Sequence, residues 1–170
     1  MLSNEYAKDI KELSDKVENA ELNNIVEVEE FFRAYMKLIW DYKMIGMIYN
    51  YYDDNVVIHC ENGKELVGVE AFVKDTSALL AAFPDAKLII EDVIVVGNVD
   101  DGYQLFSRRY VDGTNLGASK YGPPTGKKLG KVCLNLSMII IKKIDNKWKI
   151  IDERCMHSAR WIRKACTMDN

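Results

Sequence analysis

Apolar positions recur at helical spacing in the first half of the chain and at strand spacing in the second. In Ser3 to Glu18, Tyr6, Ile10, Leu13 and Val17 stand three or four residues apart among Glu, Asp and Lys, which predicts an amphipathic helix. Asn23-Asn24 breaks it. A second helix starts at Val26, acidic in its first turn as the helix dipole favours, with Val28, Phe31, Phe32, Tyr35, Leu38 and Ile39 as its stripe. Trp40-Asp41 marks a bend. Met44 to Tyr52 reads as a short apolar helix with an aromatic end, stopped by Asp53-Asp54-Asn55. Val56 to Cys60 is a short strand with Val57 and His59 on one face, Val56 and Ile58 on the other. Asn62-Gly63-Lys64 is a turn. Gly68 to Ala82 is a third helix turning Ala71, Phe72, Ala78, Leu79 and Ala82 inward, and Pro84 ends it.

From there the period becomes two. Leu88 to Val96 is dense in Ile and Val, Asp100-Asp101-Gly102 is a turn, and Tyr103 to Val111 completes a hairpin. Gly113 to Gly126 is too rich in Gly and Pro to sit in a ladder, so it forms a long connection. Lys131 to Lys143 and Trp148 to Met156 are two more long strands around the tight turn Asp145-Asn146-Lys147. Ala159 to Ala165 reads either as a terminal helix or as a continuation of the last strand. Helices first and a meander of strands afterwards is an α+β pattern. The expected form is N-terminal helices packed in a strongly curved antiparallel sheet, a cone with an open pocket. Residues 1–22 form a helical extension, and 23–170 a single domain.

On the third long strand one face is Val132, Leu134, Leu136, Met138 and Ile140, and the other is Cys133, Asn135, Ser137, Ile139 and Ile141. Neither looks solvated. One should meet helices and cavity; the other would leave a large aliphatic patch uncovered unless a second subunit covers it, so a homodimer is expected. Asn135 and Ser137 must find partners inside, either across the strands or on a ligand.

Composition narrows the function classes. The chain has 170 residues, 48% hydrophobic and 29% charged, with no apolar run near the roughly 18 residues that span a bilayer. A polar N-terminus unlike a signal peptide makes the cytoplasm the expected compartment and a membrane an unexpected partner. A net charge of −3 argues against a nucleic-acid partner. Cys60, Cys133, Cys155 and Cys166 lack metal or redox spacing and read as reduced thiols.

The titratable candidates are few. His59 and His157 are the only histidines, and either suits proton transfer near neutral pH. Each lies beside a cysteine, but residues 59 and 60 point to opposite faces, so no metal site is expected. His59 reads equally as a satisfied polar group at a cavity wall. Arg108 and Arg109 fall on opposite faces of one strand, and whichever is buried needs an acidic partner or an anionic ligand. Asp92, Asp152 and Glu153 are the carboxylates in reach. Gly122 to Lys128 resembles a phosphate loop, but its glycine spacing is one residue short and its prolines remove amide donors. The sequon Asn135-Leu136-Ser137 lies in a buried strand.

Phe83-Pro84-Asp85, the hairpin after it, Gly113-Thr114-Asn115-Leu116-Gly117 and Pro124-Thr125-Gly126-Lys127 leading into a long strand together resemble the SnoaL-like polyketide cyclases. These belong to the nuclear-transport-factor-2-like superfamily, with ketosteroid isomerase and scytalone dehydratase. The similarity runs from about Val28 to Arg163. It implies a cone-shaped fold, a cofactor-free reaction and an acidic residue near the end of the last strand that handles the proton. It also favours Arg109 as the inward arginine. In close relatives the last strand ends in Glu-Glu-Trp and then Arg-Asp; here the run is Asp152-Glu153-Arg154-Cys155-Met156-His157-Ser158. The terminal Asp falls on Ser158, or on His157 with a one-residue slip, and the family's Thr-His becomes Thr114-Asn115.

The expectation is therefore a small-molecule protein acting on, or binding, a hydrophobic carbonyl compound. As an enzyme it would be a cofactor-independent cyclase, isomerase or lyase with His157 as proton carrier and His59 and Arg109 orienting charge. Phe32, Tyr35, Trp40 and Tyr52 would wall the cavity, with Asn115, Asn135 and Ser137 as polar ligand contacts. The other reading is a non-catalytic binding or assembly module on the same scaffold.

Overall fold

A computed structural model describes residues 2–156 and 159–167. Helices α1 (Leu2–Glu18), α2 (Ile25–Trp40) and α3 (Met47–Tyr51) precede strand β1 (Tyr52–His59). Then come β2 (Glu65–Val67), α4 (Val69–Ala82), β3 (Lys87–Asn98), β4 (Gly102–Asp112), β5 (Leu134–Ile144), β6 (Lys147–Met156) and α5 (Ala159–Thr167). The six strands form one curved, unclosed sheet in the order β2-β1-β6-β5-β4-β3. Every pairing is antiparallel except β1 with β6, so the sheet is mixed at one place.

The helix starts are chemically determined. Asn24 caps α2 by accepting from the Val26 and Glu27 amides, while the Glu27 carboxylate reaches back to the Asn23 amide at 2.9 Å. Such a reciprocal cap is worth roughly 1 kcal/mol. Phe32, Tyr35, Leu38 and Ile39 from α2 then fill the concave side of the sheet together with Tyr103, Leu105, Ile139 and Ile141. The N-terminal segment is tied into this core. Val17 and Leu22 are buried, Tyr103 donates to the Leu22 carbonyl at 2.9 Å, and Trp148 donates to the Glu21 carbonyl at 2.7 Å.

Several element boundaries differ from the sequence reading. β1 starts at Tyr52, and Asp53-Asp54-Asn55 lies inside it, where the register with β6 shifts between Tyr52 and Val57. β5 starts at Leu134, because Gly130–Cys133 makes a short 3-10 turn. On α4 Ala78 is exposed; Thr76, one turn from both Phe72 and Leu80, takes the inward position instead. The open choice after β6 resolves as helix α5.

Bulges curl the sheet. Register shifts between Ile90 and Asp92 on β3, and at Ile140/Ile141 opposite Ile150 and Asp152 on β6. Each extra residue bends its strand and raises the local twist, which makes a concave surface from a meander. Asp145 and Asn146, both at positive φ, make the two-residue turn between β5 and β6.

The loop from Gly113 to Leu129 is bonded to the segment before β3. Asp85 accepts from the Thr114 amide and hydroxyl, both at 2.7 Å. The Leu116 and Gly117 amides donate to the Ala82 carbonyl, and a Cβ on Gly117 would stand 1.9 Å from the Ala81 oxygen. Phe-Pro-Asp and Gly-Thr-x-x-Gly are thus two halves of one joint. No helix among the described residues is long and apolar enough to cross a membrane.

Candidate functional site

A cavity of about 80 Å³ lies between α2, α4 and the concave face of the sheet. Its walls are apolar: Met36 and Trp40 from α2, Phe72 and Leu79 from α4, Leu88 from β3 and Val111 from β4. Tyr121, Leu129 and Ile162 close the far end, so helix α5 and the long loop complete it. Among these hydrophobes β4, β5 and β6 place Arg109, Asn135, Glu153 and Cys155, and β1 places Tyr52.

These polar groups form one network. Arg109 Nη2 donates to Glu153 Oε1 at 2.5 Å, and the two residues are 5% and 1% exposed. Tyr52 Oη donates to the other oxygen, Oε2, at 2.7 Å, and the Cys155 thiol donates to Oε1 at 3.0 Å. Three donors on one buried carboxylate, one of them cationic, are what an ionised group needs away from water. Below the guanidinium lies the Phe32 ring, its centroid 5.8 Å from Cζ.

Proton affinities follow from the packing. Burial, and then the neighbouring Glu153 carboxylate, push the Tyr52 and Tyr35 phenols well above their ordinary value. Burial and Glu153 do the same to the Cys155 thiol. Burial works most strongly against the charge on Arg109, but Glu153, Cys155 and Tyr52 together outweigh it, so the guanidinium stays more firmly protonated than usual. At the cavity edge burial would raise Asp75, but bonds from Lys120 at 2.9 Å and Lys64 at 3.3 Å hold its carboxyl below the ordinary range.

Two polar atoms of the network are left over. Arg109 Nε and Asn135 Oδ1 are buried and have no hydrogen-bond partner. Arg109 and Asn135 are direct cross-strand neighbours on β4 and β5, and both border the cavity.

Of the residues singled out from sequence, Arg109, Trp40, Tyr52 and Asn135 meet at this cavity. Phe32 and Tyr35 do not wall it: both are fully buried behind it, and Tyr35 Oη is spent on the Met47 carbonyl. Ser137 bonds Ser107 across the strands at 2.8 Å, the cross-strand alternative. Asn115 is buried in the loop, where Oδ1 accepts from the Thr125 amide and hydroxyl, so it staples the connection and is not part of this cavity's lining. His59 also lies away from the cavity, half-exposed on β1 between Glu65 at 2.9 Å and Asp152 at 3.0 Å. His157 and Ser158 lie outside the described residues.

The sequence does not single out Cys155, Asp75, Thr76, Tyr121 or Ile162 for the site, and it offers Glu153 only as one of three partners for Arg109. Alternation along β6 would find Glu153 and Cys155 but for the bulge before them. Cys60, Cys155 and Cys166 are free thiols, and no metal-holding cluster of three ligands occurs among the described residues.

The SnoaL-like polyketide cyclase family model matches residues 30–157. The chain belongs to that family. Solved structures agree on the fold. An NTF2-like protein from Cytophaga hutchinsonii superposes with TM-score 0.59 at 13% identity, over 79% of this chain and 99% of its own. Aln2 from a Streptomyces species gives 0.59 at 15%, over 82% and 94%, and nuclear transport factor 2 from Cryptosporidium parvum 0.56 at 11%, over 76% and 90%. No curated protein matches. The matched span holds Arg109, Asn135 and Glu153 but stops before α5, which seals the cavity end.

Proposed function

We propose that this protein binds a small, largely apolar compound in the cavity, with the compound's oxygen set against Arg109 and Asn135. The observation that carries this reading is the pair of partnerless buried atoms, Arg109 Nε and Asn135 Oδ1, on two side chains that border one apolar chamber. A buried polar atom left unpaired costs on the order of 1–3 kcal/mol, and a ligand that pairs both recovers it.

In the catalytic form of the reading the compound is an enolisable carbonyl, and the reaction is a cofactor-free ring closure, isomerisation or elimination. Arg109 steadies negative charge developing on oxygen, and His157, just beyond β6, carries the proton. Glu153 is a poorer carrier, since both its oxygens already accept bonds. That saturation is what favours the second reading, a binding module without chemistry. His59 acts in neither, because it lies off the cavity. A homodimer through the outer sheet face accompanies both forms, with Phe106, Leu136 and Met156 exposed there.

One experiment separates the readings. Native mass spectrometry of the purified chain looks for a retained small molecule, and enolisable ketones are assayed for turnover. If the protein is an enzyme, His157→Gln lowers turnover by about 10²–10⁴ and leaves affinity and melting temperature nearly unchanged. Turnover that survives His157→Gln removes the proposed carrier. No retained molecule, together with neither a ketone nor an alcohol shifting the melting temperature, removes the binding site itself.

A further inference from the structure

The polar floor of the cavity also restricts the chemistry of its occupant, an inference that rests on the binding reading above. Arg109 has its charge neutralised through Nη2 by Glu153, so Nε–H remains only as a hydrogen-bond donor. Asn135 Oδ1, across the strand pair, remains only as an acceptor. One group must therefore accept from the first and donate to the second. We infer that the ligand's inward end is a neutral hydroxyl, of an alcohol or an enol, on a compact hydrocarbon body.

Other small polar groups each fail at one of the two atoms. A ketone accepts from Arg109 and turns its negative end toward an oxygen that stays unpaired. A carboxylate brings a second anion beside Glu153, whose counter-charge is already in use, and buried unpaired charge is costlier than an unpaired dipole. An ammonium donates to Asn135 but has no lone pair for Nε–H and meets the guanidinium. The walls contributed by Phe72, Leu79 and Leu88 suit a small ring, and Asp75 at the cavity edge is already engaged by Lys120 and Lys64.

The test uses four probes of one size, cyclohexanol, cyclohexanone, cyclohexylamine and cyclohexanecarboxylate, titrated into the full chain near neutral pH and followed by ligand-observed NMR. Cyclohexanol is expected to bind about tenfold more tightly than cyclohexanone, the factor set by one unpaired buried acceptor, and the two ions more weakly still. In Asn135→Leu the acceptor is gone and the alcohol's advantage over the ketone should vanish. Equal or tighter binding of the ketone to the unmodified chain overturns the inference, as does tighter binding of either ion. The ratio in the unmodified chain decides by itself if Asn135→Leu does not fold. If none of the four binds, the cavity is not a binding site, and both readings fall.

Discussion

Toward one end of β4, β5 and β6, beyond the inner core of Tyr103, Leu105, Ile139 and Ile141, the two faces invert the usual distribution of residues. The face turned into the protein carries Ser107, Arg109, Asn135, Ser137 and Glu153, and the face turned outward carries Phe106, Leu134, Leu136 and Met156. The neighbours Arg108 and Arg109 show what the inversion means. Arg108 is half-exposed and pairs with Glu91 at 3.1 Å and Asp92 at 2.6 Å. Arg109 makes the same kind of pair with Glu153, but out of water. An exposed pair contributes about 0–1 kcal/mol, since water serves each partner nearly as well. The buried pair need not add net stability, yet removing one partner leaves a charge that nothing can solvate. The proposed function assigns Arg109 and Asn135 on the inner face to a ligand and the outer apolar residues to a covering surface, whereas Ser107 and Ser137 satisfy each other.

The largest expected effect breaks the inner pair. Arg109→Leu should destabilise the fold by about 3–5 kcal/mol in chemical denaturation, against less than about 1 kcal/mol for Arg108→Leu. Arg109→Leu combined with Glu153→Leu should lie closer to the unmodified protein than Arg109→Leu alone, because no orphaned charge remains. Similar losses for the two single variants would erase the contrast between the faces.

Next in size is a response to alkali. The Tyr35, Tyr52 and Cys155 protons are all held more tightly in the folded chain than is ordinary, through burial first and Glu153 second. The unfolded chain then loses these protons at lower pH than the folded one. Stability is complete below the ordinary thiol and phenol values, about 8.5 and 10, and declines as pH rises above them toward the raised folded values. The denaturation midpoint should thus fall progressively above about pH 8.5. Cys155→Ala should remove much of the early part of the decline, which the Cys60 and Cys166 thiols, raised less by burial, share, and Tyr52→Phe some of the later part. A midpoint that stays level to about pH 10.5, past both ordinary values, would show that the inner network does not hold its protons this way.

Much of this inner face was legible in the sequence, and the reason for the remainder is local. Helical spacing located α2, and the glycine and proline run located the long connection. Phe-Pro-Asp and Gly-Thr-x-x-Gly identify the fold because Asp85 bonds Thr114. They say little about the reaction, since that joint lies off the cavity. Facing was harder. On β6 Ile150 is buried, so strict alternation would turn Asp152 inward and Glu153 outward; the bulge reverses this, leaving Glu153 and Cys155 inside. β3 does the same between Ile90 and Val93. A single extra residue flips every later side chain, and nothing in the local composition announces it. The contribution of α5 to the cavity was illegible for a different reason. Ile162 closes the site only through its packing with Leu129 and Tyr121, distant in sequence.

The smallest effect on the fold, and the sharpest test of the outer face, comes from Leu136. It lies on a shallow apolar surface with Ile94, Phe106, Met138 and Met156, bordered by Arg108 and Arg154. Ile94 and Met156 are 63% and 70% exposed, far from the burial that such side chains reach in a core. A second copy of the same face would cover these residues, as a self-complementary two-fold interface does. Sedimentation at micromolar concentration should then show a dimer for the unmodified chain. Leu136→Lys should give a monomer, because an ammonium placed in a desolvated apolar contact finds no partner. Within the monomer the same substitution meets only water, so its denaturation should change by less than about 0.5 kcal/mol once the contribution of association is removed. Dimer loss without fold loss would assign the outer apolar residues to assembly, as the proposed function assigns Arg109 and Asn135 to the ligand. An unmodified chain that sediments only as a monomer would defeat the dimer and leave the outer face without a role.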